Sequence, residues 1–233
     1  MITNLRNRFN FAKILLASTF LFSTLSSISK AEDRFFYQLG ASYVEGNSHS
    51  DFTRAPLGSL TNVSFADNIE GHKLDFGLGL SSEINKIKVD YILSYAPDAF
   101  GNQVDTTNAC PNRAFECRLN IKDSLNLGAK FYLPSNASKI TPTIYFGVSN
   151  ADIQFKTFDR TAGNPITMMR HQRNWGGTAG LGLNYDLNND TAISLDYSWT
   201  AYEKTEEMVT AASEFAKSRV EINSLSLKLK KYF

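Results

Sequence analysis

Histidine and cysteine are scarce in this 233-residue chain, with three of the first and two of the second. His49, His72 and His171 leave little room for histidine chemistry. Cys110 and Cys117 bracket "PNRAFE" with no histidine between them, so a metal there would need further ligands. Long apolar runs are missing too. After the first thirty residues no stretch reaches the ~20 apolar residues of a transmembrane helix, and mean hydropathy is −0.25. The glycines of "GLGL" and "GLGLNYD" fall at alternate positions with no helix pattern after them, unlike a nucleotide-binding loop. Nothing in the chain implies a cofactor.

What is present begins at the amino terminus. Arg6, Arg8 and Lys13 precede the apolar run "ILLASTFLFSTLSSI" (14–28), and Ser29-Lys30-Ala31 follow it. A basic start, a short apolar centre and small residues before the cut describe a secretory leader, with cleavage expected after Ala31. The run is too short and too rich in Ser and Thr for a membrane anchor. Residues 1–31 hold four of the 24 basic residues and no acid, so the remaining 202 residues carry 20 basic and 23 acidic groups, net −3. Nucleic acid, which calls for a basic face, is not an expected partner.

Past the leader, apolar and polar residues alternate. In "FFYQLGASY", Phe35, Tyr37, Leu39, Ala41 and Tyr43 share one face, and Phe36, Gln38, Gly40 and Ser42 the other. In "HKLDFGLGL", Leu74, Phe76, Leu78 and Leu80 oppose Asp75, Gly77 and Gly79. In "IKVDYILSY", Ile87, Val89, Tyr91, Leu93 and Tyr95 oppose Lys88, Asp90 and Ser94. Period two predicts strands with unlike faces. Segments 119–133, 140–148, 175–187 and 192–201 follow the same rule. The chain closes on "NSLSLKLKKYF", with Leu225, Leu227 and Leu229 alternating with serines and lysines before the final Phe233. Eight segments is an even number, as a closed antiparallel barrel of the bacterial membrane type requires.

Short links join segments two and three, four and five, and six and seven. Four long joins are expected at 44–71, 96–118, 157–174 and 203–220. That alternation of short and long suits a membrane barrel better than a soluble domain. A soluble eight-stranded barrel of lipocalin type would turn its apolar face inward. Here the second face holds Asp75, Lys88, Asp90, Lys130, Asp186 and Asp196 with small glycines between them, which predicts a narrow interior plugged by paired charges. Asp123 falls on the apolar face by parity, and its place is expected above the hydrocarbon. Tyr43, Tyr95, Trp175 and Trp199 are expected at one interface, and Phe131, Tyr185 and Phe233 at the other.

The leader, the eight segments, the hairpin "GGTAGLGLNYDLNNDTAISLDYSWT" and the terminal Phe233 together resemble the small outer-membrane β-barrels of Gram-negative bacteria, the OmpA/OmpX and opacity-protein group. The resemblance covers essentially all of 32–233. It implies an all-β fold, an eight-stranded antiparallel transmembrane β-barrel with four long extracellular loops and short periplasmic turns. It also implies an integral outer-membrane protein set among lipid and lipopolysaccharide, with its loops facing the exterior. The last strand, through Leu225, Leu227, Leu229 and Phe233, is similar to the signal read by the barrel-assembly machinery. Lys231 departs from that pattern, and its ammonium snorkels to water at the rim.

The implied function is that of a non-enzymatic surface protein, structural, with loop-mediated recognition or adhesion toward a host or surface ligand. A narrow porin-like channel for small solutes is the second reading. A lipid-modifying enzyme is the third, and it needs a His-x-Ser pair on a strand that the sequence lacks. His49 sits in "GNSHSD" among the residue types of a hydrolytic triad, but neighbours along a loop do not hold triad geometry. His171 lies between Arg170 and Arg173 in "MMRHQR", a basic cluster for lipopolysaccharide phosphates or a solvated loop tip. In an exported chain Cys110 and Cys117 favour a disulfide, whose short loop contributes about 2.5 kcal/mol by the chain-entropy estimate.

Overall fold

Ile84 and Ile87 face each other across Asn85-Lys86. Both linking residues have positive φ, 51° and 67°. That is a two-residue type I′ turn, whose twist matches the twist of the strands it joins. The hairpin it closes is one unit of an antiparallel meander. The computed structural model describes residues 33–54, 61–97, 103–106, 115–134, 139–159, 163, 166–205, 208–209 and 214–233. The expected leader with Ala31, and Cys110 with its bridge to Cys117, lie outside what is described.

The strands are β1 (Arg34–Arg54), β2 (Thr61–Ile84), β3 (Ile87–Ala96), β4 (Gln103–Thr106), β5 (Phe115–Tyr132), β6 (Ile140–Asp159), β7 (Ile166–Asn188), β8 (Thr191–Tyr202), β9 (Met208–Val209) and β10 (Glu214–Tyr232). Each pairs antiparallel with its neighbours, and β1 pairs with both β2 and β10, which closes the sheet on itself. Two of the eight staves are made in two pieces. Beyond Ala96, β4 takes up the edges that β3 leaves on β2 and β5. Beyond Tyr202, β9 continues beside β10 where β8 stops. The fold is an all-β, closed, eight-stranded antiparallel barrel.

The long joins expected from sequence are largely wall. β1 runs 21 residues and β2 24, where ~9–11 cross a membrane at a tilt. The join expected at 44–71 is mostly paired strand, with Val44 opposite Gly71 and Arg54 still opposite Thr61. The join at 157–174 shrinks likewise, since β6 reaches Asp159 and β7 starts at Ile166. At 203–205 the chain leaves β8 yet stays bound on both sides. Glu203 N–H donates to the Trp175 carbonyl (2.7 Å), and Thr205 N–H to the Ser218 carbonyl (2.8 Å).

The first and last residues of the barrel are both held at the short-turn end. Phe233 N–H donates to the Phe35 carbonyl (2.9 Å), and its ring lies 5.5 Å from that of Tyr37. Arg34 reaches the opposite turn, donating to the Asn189 carbonyl (2.7 Å) and pairing with Asp190 (2.7 Å). These contacts explain why an aromatic ends the chain without fraying.

Candidate functional site

The outward face carries a belt of exposed apolar side chains. Phe35, Leu78, Leu181 and Leu227 are 67%, 67%, 64% and 58% exposed. Tyr43, Tyr95, Trp175 and Trp199 stand toward the extended end, and Phe131, Tyr185 and Phe233 toward the turns. Water-soluble monomers do not present contiguous apolar surface on that scale. The inward face is the opposite, for Asp90, Lys130 and Lys230 are 0%, 1% and 2% exposed. Only a solvent of hydrocarbon accounts for such an inversion. The chain folds as a membrane-spanning β-barrel.

Its architecture is that of the small eight-stranded outer-membrane barrels. Neisserial surface protein A is similar in fold at 14% identity and TM-score 0.43, over 85% of this chain and 97% of that one. OprG of Pseudomonas aeruginosa gives 16% and 0.45 over 87% and 97%. A major outer membrane protein of Thermus thermophilus gives 12% and 0.49 over 87% and 100%. No activity carries over at such distances. No family model and no curated protein matches the chain.

The interior is filled in three layers. Nearest the turns, Asp90 accepts from Lys230 and from the Tyr132 hydroxyl (2.5 Å), and Lys230 also donates to Tyr132 (2.8 Å). Lys88 donates to the Tyr232 hydroxyl (3.0 Å) and lies over the Tyr132 ring. Phe36 meets Tyr232 edge-on at 5.6 Å and packs with Ile92 and Ala192. Above them Asp196 accepts from Lys130 (2.8 Å) and pairs with Lys228 (3.3 Å). Beside this pair is a polar chamber of about 60 Å³, lined by Ser42, Lys73, Asp75, Tyr145, Ser226 and Lys228 among others. The third layer is apolar: Val44, Ile69, Leu119, Ile121, Ala151, Ile153, Phe155, Tyr202, Val220 and Ile222 form one buried cluster.

Glycines make the narrow interior possible. A methyl at position 40 would stand 2.6 Å from an Asp75 carboxylate oxygen, and one at Gly128 would run into the Tyr145 hydroxyl. Large side chains on one strand thus occupy the room that glycine leaves on the next.

The six charges expected inside all lie on the inner face, but not all as ion pairs. Asp90 and Asp196 have lysine partners. Lys88 is bonded to a phenol instead, and Asp186 accepts from the Asn184 amide (2.8 Å). Asp75 is buried with one carboxylate oxygen unpartnered. Sequence reading passed over Lys73, Lys228, Lys230, Tyr132, Tyr145 and Tyr232. Parity was the available signal, since Lys228 and Lys230 alternate with the outward Leu225, Leu227 and Leu229, which are 50%, 58% and 46% exposed.

The histidines do not lie in loops. His49 is on β1 opposite Ala66 and Arg219, with its side chain outward. Ser48, one residue earlier, points inward and is buried. Strand neighbours project to opposite faces, so the triad types of "GNSHSD" cannot converge. His171 is on β7, with Nδ1 3.1 Å from Asp152 and Nε2 2.7 Å from the Gln154 amide nitrogen. Its two partners orient the ring.

Asp123 marks a change of register. Ile121 pairs with Ile153 and Ser124 with Ala151, so Lys122 and Asp123 together oppose Asp152 in a β-bulge. The extra residue swings Leu119 and Ile121 inward although they share the parity of the outward Leu125. Asp123 lies outside above the apolar belt, paired to Arg173 at 2.8 Å, where a charge costs little. Arg173 also donates to Asn150 (3.2 Å).

Proposed function

We propose that the chain is a non-enzymatic surface protein of the bacterial outer membrane, a closed barrel whose elongated wall carries recognition or adhesion elements outward. The observation behind this reading is the wall itself. β1, β2, β5, β6 and β10 continue well past the apolar belt and are packed there around a core of their own. Such an extension contributes nothing to crossing hydrocarbon. It supports the connecting segments on a rigid base, as binding loops are generally supported. On this reading those segments face the exterior and meet a host or surface ligand. The belt is set in outer-membrane lipid and lipopolysaccharide, the strand ending in Phe233 engages the barrel-assembly machinery, and Cys110 of the second connection is bridged to Cys117 at the start of β5.

The experiment compares bacteria displaying the full chain with bacteria displaying a barrel shortened by removing 46–69 and 152–171 and closing each gap with a tight turn. Adherence to cultured epithelial cells is the readout. Loss of adherence with a normal heat-modifiable barrel is expected. Full adherence by the shortened barrel would move the function into the membrane wall and end this reading. The porin-like alternative is disfavoured by the filled interior, in which an aromatic layer and an apolar layer enclose the polar chamber. Planar-bilayer recordings should accordingly lack uniform, long-lived openings.

A further inference from the structure

The polar chamber has an unbalanced charge. Lys73 and Lys228 line it with Asp75 and Asp196, and Lys130 reaches Asp196 from the side. Three ammonium groups thus share two carboxylates. Asp196 already serves both Lys130 and Lys228. Lys73 makes no direct ion pair or hydrogen bond among the described residues, although it lies near enough to Asp75 and Lys228 to feel both. Among the described residues the next layer has no carboxylate to spare, because Asp90 and Asp186 are matched there by the two ammonium groups of Lys230 and Lys88. An uncompensated charge inside a protein wall surrounded by hydrocarbon is among the least tolerable features a fold can have.

The rest of the lining suits an anion. Ser42 and Ser226 share a hydrogen bond of 2.8 Å, and Ser94, Ser198, Thr200 and Ser224 turn further hydroxyls toward the same space. Hydroxyls rotate to donate, so together with two ammonium groups they can replace the hydration shell of a small anion. A cation would add to the existing excess. About 60 Å³ is room for one small ion and a few waters. We propose that the chamber holds one small monovalent inorganic anion, of halide size, as a resident counter-ion between Lys73 and Lys228. The site is independent of the loop reading above, because it lies within the membrane-crossing wall.

Crystals of the full barrel grown in bromide, with data collected at the bromine edge, test this. The expected result is an anomalous peak inside the chamber, between Lys73 and Lys228, at near-full occupancy. Lys73→Met leaves two lysines for two aspartates, and the peak should vanish while the barrel is otherwise unchanged. Lys73→Gln serves where the Met variant does not fold. A wild-type chamber holding only water, bromide confined to surface lysines, or an undiminished peak in either variant would each overturn the proposal.

Discussion

The two halves of this barrel obey opposite rules with the same strands. Along β10, the membrane-crossing part turns Leu225, Leu227 and Leu229 outward and Ser226, Lys228 and Lys230 inward. Further from the C-terminus the outward residues become Asn223, Glu221 and Arg219, and the inward ones Ile222 and Val220. β6 repeats the reversal. Phe146 is outward in the belt, whereas Ala151, Ile153 and Phe155 are buried inside the extension with Asp152 and Lys156 outside. The alternation never stops; only the solvent beyond the wall changes. Where lipid surrounds the barrel, polar groups are confined to the interior and must satisfy one another. Where water surrounds it, the interior is free to become an ordinary apolar core.

The comparison is broken most severely by disturbing the charged layer. Asp90→Ala leaves Lys230 buried without its carboxylate, and loss of one member of a buried pair costs about 3–5 kcal/mol. In the extended half Ile153→Val, a change of one methylene in the apolar cluster, should cost only about 0.5–1.5 kcal/mol. Urea unfolding of both variants in lipid vesicles, followed by the heat-modifiable shift on gels, measures the gap. Equal small losses would mean that water reaches Asp90 and that the charged layer is no seal.

A smaller effect separates the outer surfaces. Leu227→Arg places a charge on the lipid face near mid-belt, with an expected loss of about 2–4 kcal/mol. Asn47→Arg places the same charge outward on the extended part of β1, where surface changes fall within about 0.5 kcal/mol. Vesicle insertion yield and unfolding midpoints should drop for the first and stay level for the second. If Asn47→Arg were as harmful, the lipid boundary would lie higher than Tyr43.

The same contrast shows why the sequence was legible in one half and not in the other. Apolar residues at every second position are read easily when they oppose glycine, serine and charge, as in "HKLDFGLGL". In "YVEGNSHS" the alternation continues, with Val44 and Ser48 inside and Glu45, Asn47 and His49 outside. Its inner face is short and partly small and polar, so the stretch reads as loop. On β5 the bulge at Lys122-Asp123 also changes the parity, and Leu119 and Ile121 exchange faces without any local signal. Of the interior, the parity rule reached Asp90, Lys130 and Asp196. It could not say which lysine meets which carboxylate, because partners such as Asp90 and Lys230 lie 140 residues apart.

The finest test asks whether the extended core is as dry as a soluble protein's. Tyr202 lies in that core, 3% exposed, and its hydroxyl shares a hydrogen bond of 3.1 Å with Ser149. Burial pushes the hydroxyl up to about 12, with the Ser149 bond acting weakly the other way. At pH 8 Tyr202→Phe should therefore lose only the bond, about 0.5–1.5 kcal/mol. The balance shifts in alkali. An unfolded tyrosine ionises near pH 10, whereas the folded one stays neutral until about pH 12. A raised folded value means stability that is complete below pH 10 and drains away as pH climbs through 12. Phenylalanine has no such loss. The wild-type advantage measured by urea midpoints at pH 8 should therefore narrow by pH 11 and reverse near pH 12. A gap that stayed constant across that range would show Tyr202 ionising as it does in water, and the extension would then be a hydrated funnel, not a second, lipid-independent core.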